Sequence, residues 1–287
     1  MTYLDYLAFS VGFYVLLAVS LSFPANLAGM MVVCQAAFCA IGAYTAGLLV
    51  PSLTHDGGWV LAASIPLGGI VGAGAGLLIS RMRSEEVVLA TLGVQMIASS
   101  LLLNSSITQG PMGIPKVVAS SWLGFETQSD LIPTLVCVAM AGGAMALSVV
   151  GRRSRWTLSL HAMHDDPVLV ETMGHSATSL KIQVMALSGA VAAAAGTLYA
   201  LKITYIGPSA FTVTESIMLL TLVLLAGKYS TTGSAITATL FVLLPEALRF
   251  VGFESYVIAH VRQIVFGACL GVYVAARSRN ARSHMVL

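Results

Sequence analysis

The first lysine or arginine in this sequence is Arg81. Everything before it is dominated by long apolar runs, beginning with Tyr6 to Phe23, a length that suits the hydrocarbon core of a bilayer. In lipid, only helices and closed barrels satisfy every backbone N–H and C=O. A barrel would show segments of about ten residues with alternating polarity. Ile182 to Leu201 is instead a second long, largely apolar run, which excludes that architecture. Charge is scarce throughout: Asp, Glu, Lys and Arg make up 9% of the 287 residues, against about 25% in soluble domains. With 57% hydrophobic residues and a mean hydropathy of +0.89, the chain is predicted to be an all-α polytopic membrane protein. Residues 1–287 form a single transmembrane domain in this reading.

Allowing roughly 30 residues per span and loop gives about nine spans. The apolar runs place them near 6–23, 26–50, 59–79, 86–103, 131–150, 180–201, 213–227, 234–250 and 256–276. The second is interrupted at Asn26 to Gly29 and again at Cys34-Gln35, so it is either one broken helix or a short re-entrant piece followed by a span. The expectation is therefore eight to nine transmembrane helices with a broken or re-entrant second segment. The first segment has no positively charged region before it and is expected to be retained as a span.

Basic residues fall in alternate connections: Arg81 and Arg83, then Arg152, Arg153, Arg155 and Lys181, then Lys228, then Arg277, Arg279 and Arg282. The positive-inside rule assigns those connections, and with them the C-terminus, to the cytoplasm. Nine spans then put the N-terminus outside. The opposite connections hold His55 to Gly58, Asn104 to Asp130 with Lys116, and Phe253-Glu254. A net charge of +2 gives no basis for a nucleic-acid partner.

Gly68, Gly72 and Gly76 repeat at four-residue spacing and share one helix face, where a neighbouring backbone can approach closely. They read as helix-packing residues, because no strand precedes them and the dinucleotide spacing fails at Leu77. Gly227-Lys228 lacks the upstream glycine of a phosphate loop, so any nucleotide that drives this protein is bound by another subunit. Cys34, Cys39, Cys137 and Cys269 show no CxxC spacing and read as packing residues. His161, His164, Asp165 and Asp166 lie close enough together to raise a metal site, yet a solvated loop with helix-start acids explains them equally well, and no metal is assigned. No nucleophile, base and orienting residue come together in a recognisable pattern, which leaves an enzyme without support.

Polar residues in or near spans, among them Gln35, Gln95, Asn104, Gln183 and Glu215, generally face a cavity or a partner. The span assignment puts Glu215 near an outer interface. Glu246 and Arg249 sit at i and i+3 and are expected to pair. The polar stretch from Gly151 to Lys181 is the longest cytoplasmic connection, and Ser159 to Gly174 is expected to form one or two short helices across the membrane face.

Several blocks carry a resemblance: Gln35-Ala-Ala-Phe38 leading into Ile41-Gly-Ala-Tyr44, Thr108 to Pro115, and Gly207-Pro-Ser-Ala-Phe-Thr212 followed by Glu215-Ser216. Ala162 to Gly174 is similar to a cytoplasmic motif in which a basic residue and alanine precede an acidic pair and a later Met-Gly. Arg262-Gln263 with Gly267 resembles the start of a last span. In this order and spacing, from about residue 16 to 272, the chain resembles the branched-chain amino acid permeases of bacterial ABC importers. The resemblance implies a multi-pass permease of the bacterial inner membrane, working by ATP-driven alternating access. It implies a second homologous permease subunit, two cytoplasmic ATP-binding subunits and an external substrate-binding protein. ATP and Mg are used by those partners, and no cofactor is bound by this chain. His161, Ala162, His164, Asp165, Asp166, Glu171 and Gly174 would form the loop that contacts an ATPase. Gln35, Phe38, Tyr44, Thr91, Gln95 and Asn104 would line the substrate pathway.

Three departures bear on that picture. The polar glycine-glutamine-serine run that usually precedes the Gln-Ala-Ala-Phe block is replaced by Asn26, Gly29, Met30, Val32 and Cys34. The basic positions of the cytoplasmic motif are His161 and His164 rather than arginines. The glycine-rich turn after the seventh span reads Ala226-Gly-Lys-Tyr-Ser230. A more apolar break suits a branched-chain or aromatic amino acid or a small organic acid, and related permeases take urea and short amides. A stand-alone secondary transporter is the alternative, and would call for carboxylates at the bilayer midplane and an inverted repeat.

Overall fold

A computed structural model describes residues 3–52, 55–115, 117–119, 121–122, 125–126, 131–172, 174, 176–227 and 229–250. The expected last span at 256–276, Arg262, Gly267, Lys116, Lys228 and the C-terminal arginines lie outside the described residues. The first long helices are α1 (Tyr3–Ser22), α2 (Gln35–Ser52), α3 (Gly57–Ile79), α4 (Ser84–Asn104) and α5 (Leu131–Val150). Two short helices follow, α6 (Arg155–Asp165) and α7 (Pro167–Thr172), then α8 (Ala177–Ile203), α9 (Val213–Leu225) and α10 (Thr231–Phe250). Among the described residues, six helical segments have the length and apolar character to cross a membrane, and Gln35–Pro51 is a shorter apolar helix.

The first two expected spans meet differently from the sequence reading. A π-helical turn, Phe23–Leu27, extends α1, so the first apolar segment runs from Tyr3 to Leu27. Pro24 lies in that turn, where a missing N–H and a wider ring of hydrogen bonds go together. From there to Gln35 the chain is not helical. The second segment is thus one interrupted crossing whose helical part begins inside the bundle.

The two ends of the bundle can be told apart. At one end, which we call the basic end, Lys181 Nζ donates to the carbonyls of Ser80 (3.2 Å) and Met82 (3.0 Å), tying α8 to the α3–α4 turn. There too Arg152 donates to Thr232 Oγ1 at 3.1 Å. At the opposite end, β1 (Ile114–Pro115) pairs antiparallel with β4 (Tyr205–Ile206), while β2 (Ser121–Trp122) pairs with β3 (Phe125–Glu126). Asp56 caps α3 there by accepting from Gly58 N at 2.9 Å.

α8 is the central helix: 72% of its apolar window is buried, against 17% for α4, which lies at the periphery. Its small residues allow direct backbone contact with α2 and α3. A Cβ on Gly42 would sit 1.8 Å from the Ala193 carbonyl oxygen, and one on Gly196 the same distance from the Cys39 carbonyl oxygen. The α3 glycines complete the seam. Added methyls would lie 2.3 Å from Ala193 Cβ at Gly68, 2.4 Å from the Met185 carbonyl at Gly72 and 2.8 Å from Ile182 Cα at Gly76. Without a hydrophobic drive between helices in lipid, this close van der Waals contact is what associates them.

At the end opposite the basic one, Lys202 in the last turn of α8 donates to Asp5 Oδ2 of α1 at 2.5 Å. Both side chains are almost fully buried, at 1% and 3% exposure. A charge at that depth persists when paired, and this pair ties α1 to the central helix.

Candidate functional site

The interruption before Gln35 leaves the first N–H groups of α2 without intrahelical partners inside an apolar bundle. Side chains from other helices take them up. Ala36 N donates to Ser216 Oγ of α9 at 2.9 Å, and Ala37 N to Gln95 Oε1 of α4 at 2.8 Å. Val33 N donates to Thr91 Oγ1 at 3.1 Å. Gln95 has three further links: its Oε1 accepts from Ser216 Oγ (3.1 Å), and its Nε2 donates to the Phe211 carbonyl (3.0 Å) and Ser99 Oγ (3.4 Å). Gln35 turns the other way, donating to Ser20 Oγ and accepting from Ser188 Oγ at 3.2 Å.

α2 and α9 therefore start beside each other and diverge. α2 leads away from the basic end, where a methyl on Gly47 would meet Ile206 and Ile114 of the paired strands. α9 leads toward the basic end, where the connector after it places the Tyr229 ring 4.4 Å from that of His161. Thr212 caps α9, accepting from Glu215 N at 3.3 Å.

Next to these two helix starts is a cavity of about 160 Å³. Phe13, Tyr14 and Leu17 of α1, Ala36 and Cys39 of α2, Tyr199 of α8, and Ala210, Phe211, Glu215 and Leu219 line it. Its rings form a continuous array: Tyr14 to Phe13 (5.4 Å between centroids), Phe13 to Tyr199 (5.3 Å), Tyr199 to Phe211 (6.1 Å). Among the described residues, Glu215 is the one carboxylate in this wall, half-buried in the first turn of α9. The sequence reading put Glu215 near an outer interface; its helix instead begins at the interrupted second segment.

The connection from Arg155 to Thr172 forms two short helices, as the polar stretch predicts. Ser154 caps α6, accepting from Thr157 N at 3.2 Å, and α6 buries Thr157, Leu160 and Met163 at helical spacing. Trp156 Nε1 donates to Gln183 Oε1 at 2.9 Å, which fixes α6 to α8. Asp165 accepts from Tyr229 OH at 2.6 Å. Gly29, at φ +70°, lies under His164, whose ring would be 2.9 Å from a Cβ there. Tyr229 N in turn donates to the Asn26 carbonyl at 3.3 Å. One short helix thus touches both the interruption after α1 and the connector from α9 to α10.

Burial, followed by the hydrogen bond to Asp165 and its charge, pushes the Tyr229 hydroxyl up to about 12. Burial lowers the pKa of His161, with Arg152 acting in the same direction and Asp165 opposing it.

Of the residues singled out from sequence, Gln35, Thr91 and Gln95 are fully buried and converge on the helix break. Phe38 is fully buried in α2, and Tyr44 nearly so, its ring 6.3 Å from that of Phe211. Asn104 is apart from them, exposed at the end of α4 with Nδ2 donating to the Ser100 carbonyl at 2.9 Å. On the basic end, Asp165, Asp166, Glu171 and Gly174 are exposed, and His161, Ala162 and His164 are half-buried. Among the described residues, no three His, Cys, Asp or Glu side chains come together as a metal site. Glu246 accepts from Tyr3 OH, and the side chain of Arg249 lies outside the described residues. Sequence reasoning missed Ser20, Ser188, Tyr229 and the Asp5–Lys202 pair. Lys202, a cation at the end of a long apolar run, was the available signal for the last.

Two curated relatives are named as high-affinity branched-chain amino acid transport system permease protein LivM. That of Salmonella typhimurium is 31% identical over 264 residues, and that of Escherichia coli 30% identical over 264 residues. Each alignment covers 82% of this chain and 61% of the relative, so the chain spans about three fifths of the length of these proteins. No solved structure matches the chain. Residues 3–274 match the family described as branched-chain amino acid transport system / permease component. Over that length, with its apolar helices, the chain belongs to this permease family and is a multi-pass membrane protein.

Proposed function

We propose that this chain is the permease subunit of an ABC importer that carries branched-chain or other hydrophobic amino acids across the bacterial inner membrane. The observation that carries the reading is the family match over residues 3–274, which covers both the broken second segment and the α6–α7 connection. A second permease, two cytoplasmic ATP-binding subunits using ATP and Mg, and an external binding protein complete the assembly. The basic end faces the cytoplasm and the C-terminus is on that side.

In this reading α6 and α7 dock on an ATPase through His161, Ala162, His164, Asp165, Asp166, Glu171 and Gly174. Closure of the ATPases displaces α6. Its contacts with Gly29 and Tyr229 carry that displacement to the two helix starts, rocking one set of helices against another. Gln35, Phe38, Tyr44, Thr91 and Gln95 then border the route that opens. Asn104 belongs to its mouth.

The test is reconstitution of the chain with its neighbouring subunits in liposomes, measuring ATP hydrolysis stimulated by binding protein and leucine. Stimulation that requires this chain supports the importer. Uptake that persists with no ATPase subunit present points to a secondary transporter.

A further inference from the structure

The cavity between α1, α2, α8 and α9 is a built recess with a chemistry of its own. Phe13, Tyr14, Leu17, Tyr199, Phe211 and Leu219 give it apolar walls, and Glu215 supplies its carboxylate. A mostly apolar pocket with a few placed polar groups is the usual form of a small-molecule site. Its volume of about 160 Å³ resembles that of an engineered apolar cavity, about 150 Å³, that takes up benzene. That is room for a branched aliphatic side chain.

We propose that this cavity is an intramembrane subsite for one zwitterionic amino acid with an apolar side chain, an inference that rests on the importer reading above. Glu215 takes the ammonium, which also lies against the faces of the neighbouring rings, where a desolvated cation is attracted to the π quadrupole. The aliphatic side chain fills the space between Leu17 and Leu219. The solute's carboxylate lies toward the first turns of α2 and α9, which border the same cavity. Ser216, Gln95 and Thr212 already take up N–H groups there, so the helix dipoles act on it as a field rather than through direct hydrogen bonds. A hydrated inorganic cation would gain nothing from the aromatic walls.

The test is equilibrium binding of tritiated leucine to the full permease–ATPase complex in nanodiscs without binding protein. ATP-driven leucine uptake by the complete system is measured in parallel. Valine and isoleucine should displace the label, whereas 4-methylpentanoate, which keeps the side chain and carboxylate but lacks the ammonium, should not. Glu215→Gln should weaken leucine binding about tenfold or more, with partial recovery in Glu215→Asp, and Leu219→Trp should abolish it by filling the space. Co-purification of the ATPase with each variant checks that the complex has assembled. Binding unchanged in Glu215→Gln, displacement by 4-methylpentanoate as effective as by leucine, or no leucine binding by the wild type overturns the subsite. If wild-type uptake proceeds while both cavity variants transport normally, the importer stands and the subsite falls. If the wild type takes up no branched-chain amino acid, the importer reading itself fails.

Discussion

Ser216 on α9 accepts the backbone N–H of Ala36 on α2 at 2.9 Å, so the start of one interrupted segment is held by the start of another. Gln95 closes the joint by accepting from both Ala37 N and Ser216 Oγ. In an apolar interior, a donor deprived of its acceptor loses about 1–3 kcal/mol. Ser216→Ala should therefore lower stability by about that much, and Gln95→Leu by more, since Gln95 serves four groups at once. Because the two share partners, the double variant should fall short of the sum of the single effects. Thermal unfolding of the purified complex in detergent checks this, and strict additivity would refute the shared joint. Gln95→Leu should also reduce transport more than assembly; equal loss of both would mark its role as purely structural.

The Asp5–Lys202 pair makes a separate prediction. Removing one partner of a buried ion pair costs about 3–5 kcal/mol, whereas replacing both with apolar residues of similar size is often nearly neutral. Lys202→Met alone should sharply reduce the yield of folded protein, and Asp5→Leu added to it should restore most of that yield. Size-exclusion profiles of the two variants decide the matter; a double variant as poor as the single would overturn it.

Replacing Asp165 and Asp166 with lysines should detach or uncouple the ATPase while leaving the spanning helices folded. Both side chains are exposed on α6 and its cap, and Asp165 also accepts from Tyr229. Co-purification of the ATPase and leucine uptake are the readouts, and no change in either would sink the docking role.

His161 gives the α6 contact a pH dependence. Its folded-state pKa is depressed below 6.5, chiefly by burial, so the unpacked form takes up a proton more readily. The stability it contributes is present above pH 6.5 and is lost as pH falls through the lower folded-state value. Its Nε2 is buried without a hydrogen-bond partner, which makes an added proton there costly. Hydrogen exchange of residues 155–172, corrected for intrinsic rates, should quicken at pH 5.5 relative to pH 7.5. His161→Asn should flatten that difference.

The six described helices long enough to cross a membrane were legible because apolar runs of bilayer length end at turn and charge signals, and Gly68, Gly72 and Gly76 were legible because a four-residue period lies along one helix face. The short helices expected from polarity between Ser159 and Gly174 were found at Arg155–Asp165 and Pro167–Thr172. The joint at Ala36 was not legible. Its partners lie 58 and 180 residues away, and nothing local to Gln95 or Ser216 says which backbone each will meet. The pairing of Asp5 with Lys202 across 197 residues was hidden for the same reason. Glu215 was misplaced because a helix that begins inside the bundle leaves no mark on hydropathy that separates it from one that begins at an interface.

The seam in which Gly42 meets the Ala193 carbonyl and Gly196 the Cys39 carbonyl also bears on how movement in this protein is to be observed. Helices whose main chains touch have no side-chain layer to shear, so α2, α3 and α8 form a rigid chassis. Spectroscopic labels placed within that trio serve as an internal ruler of constant length. Labels running from it to α9 or α10 are the ones whose separation reports the working stroke.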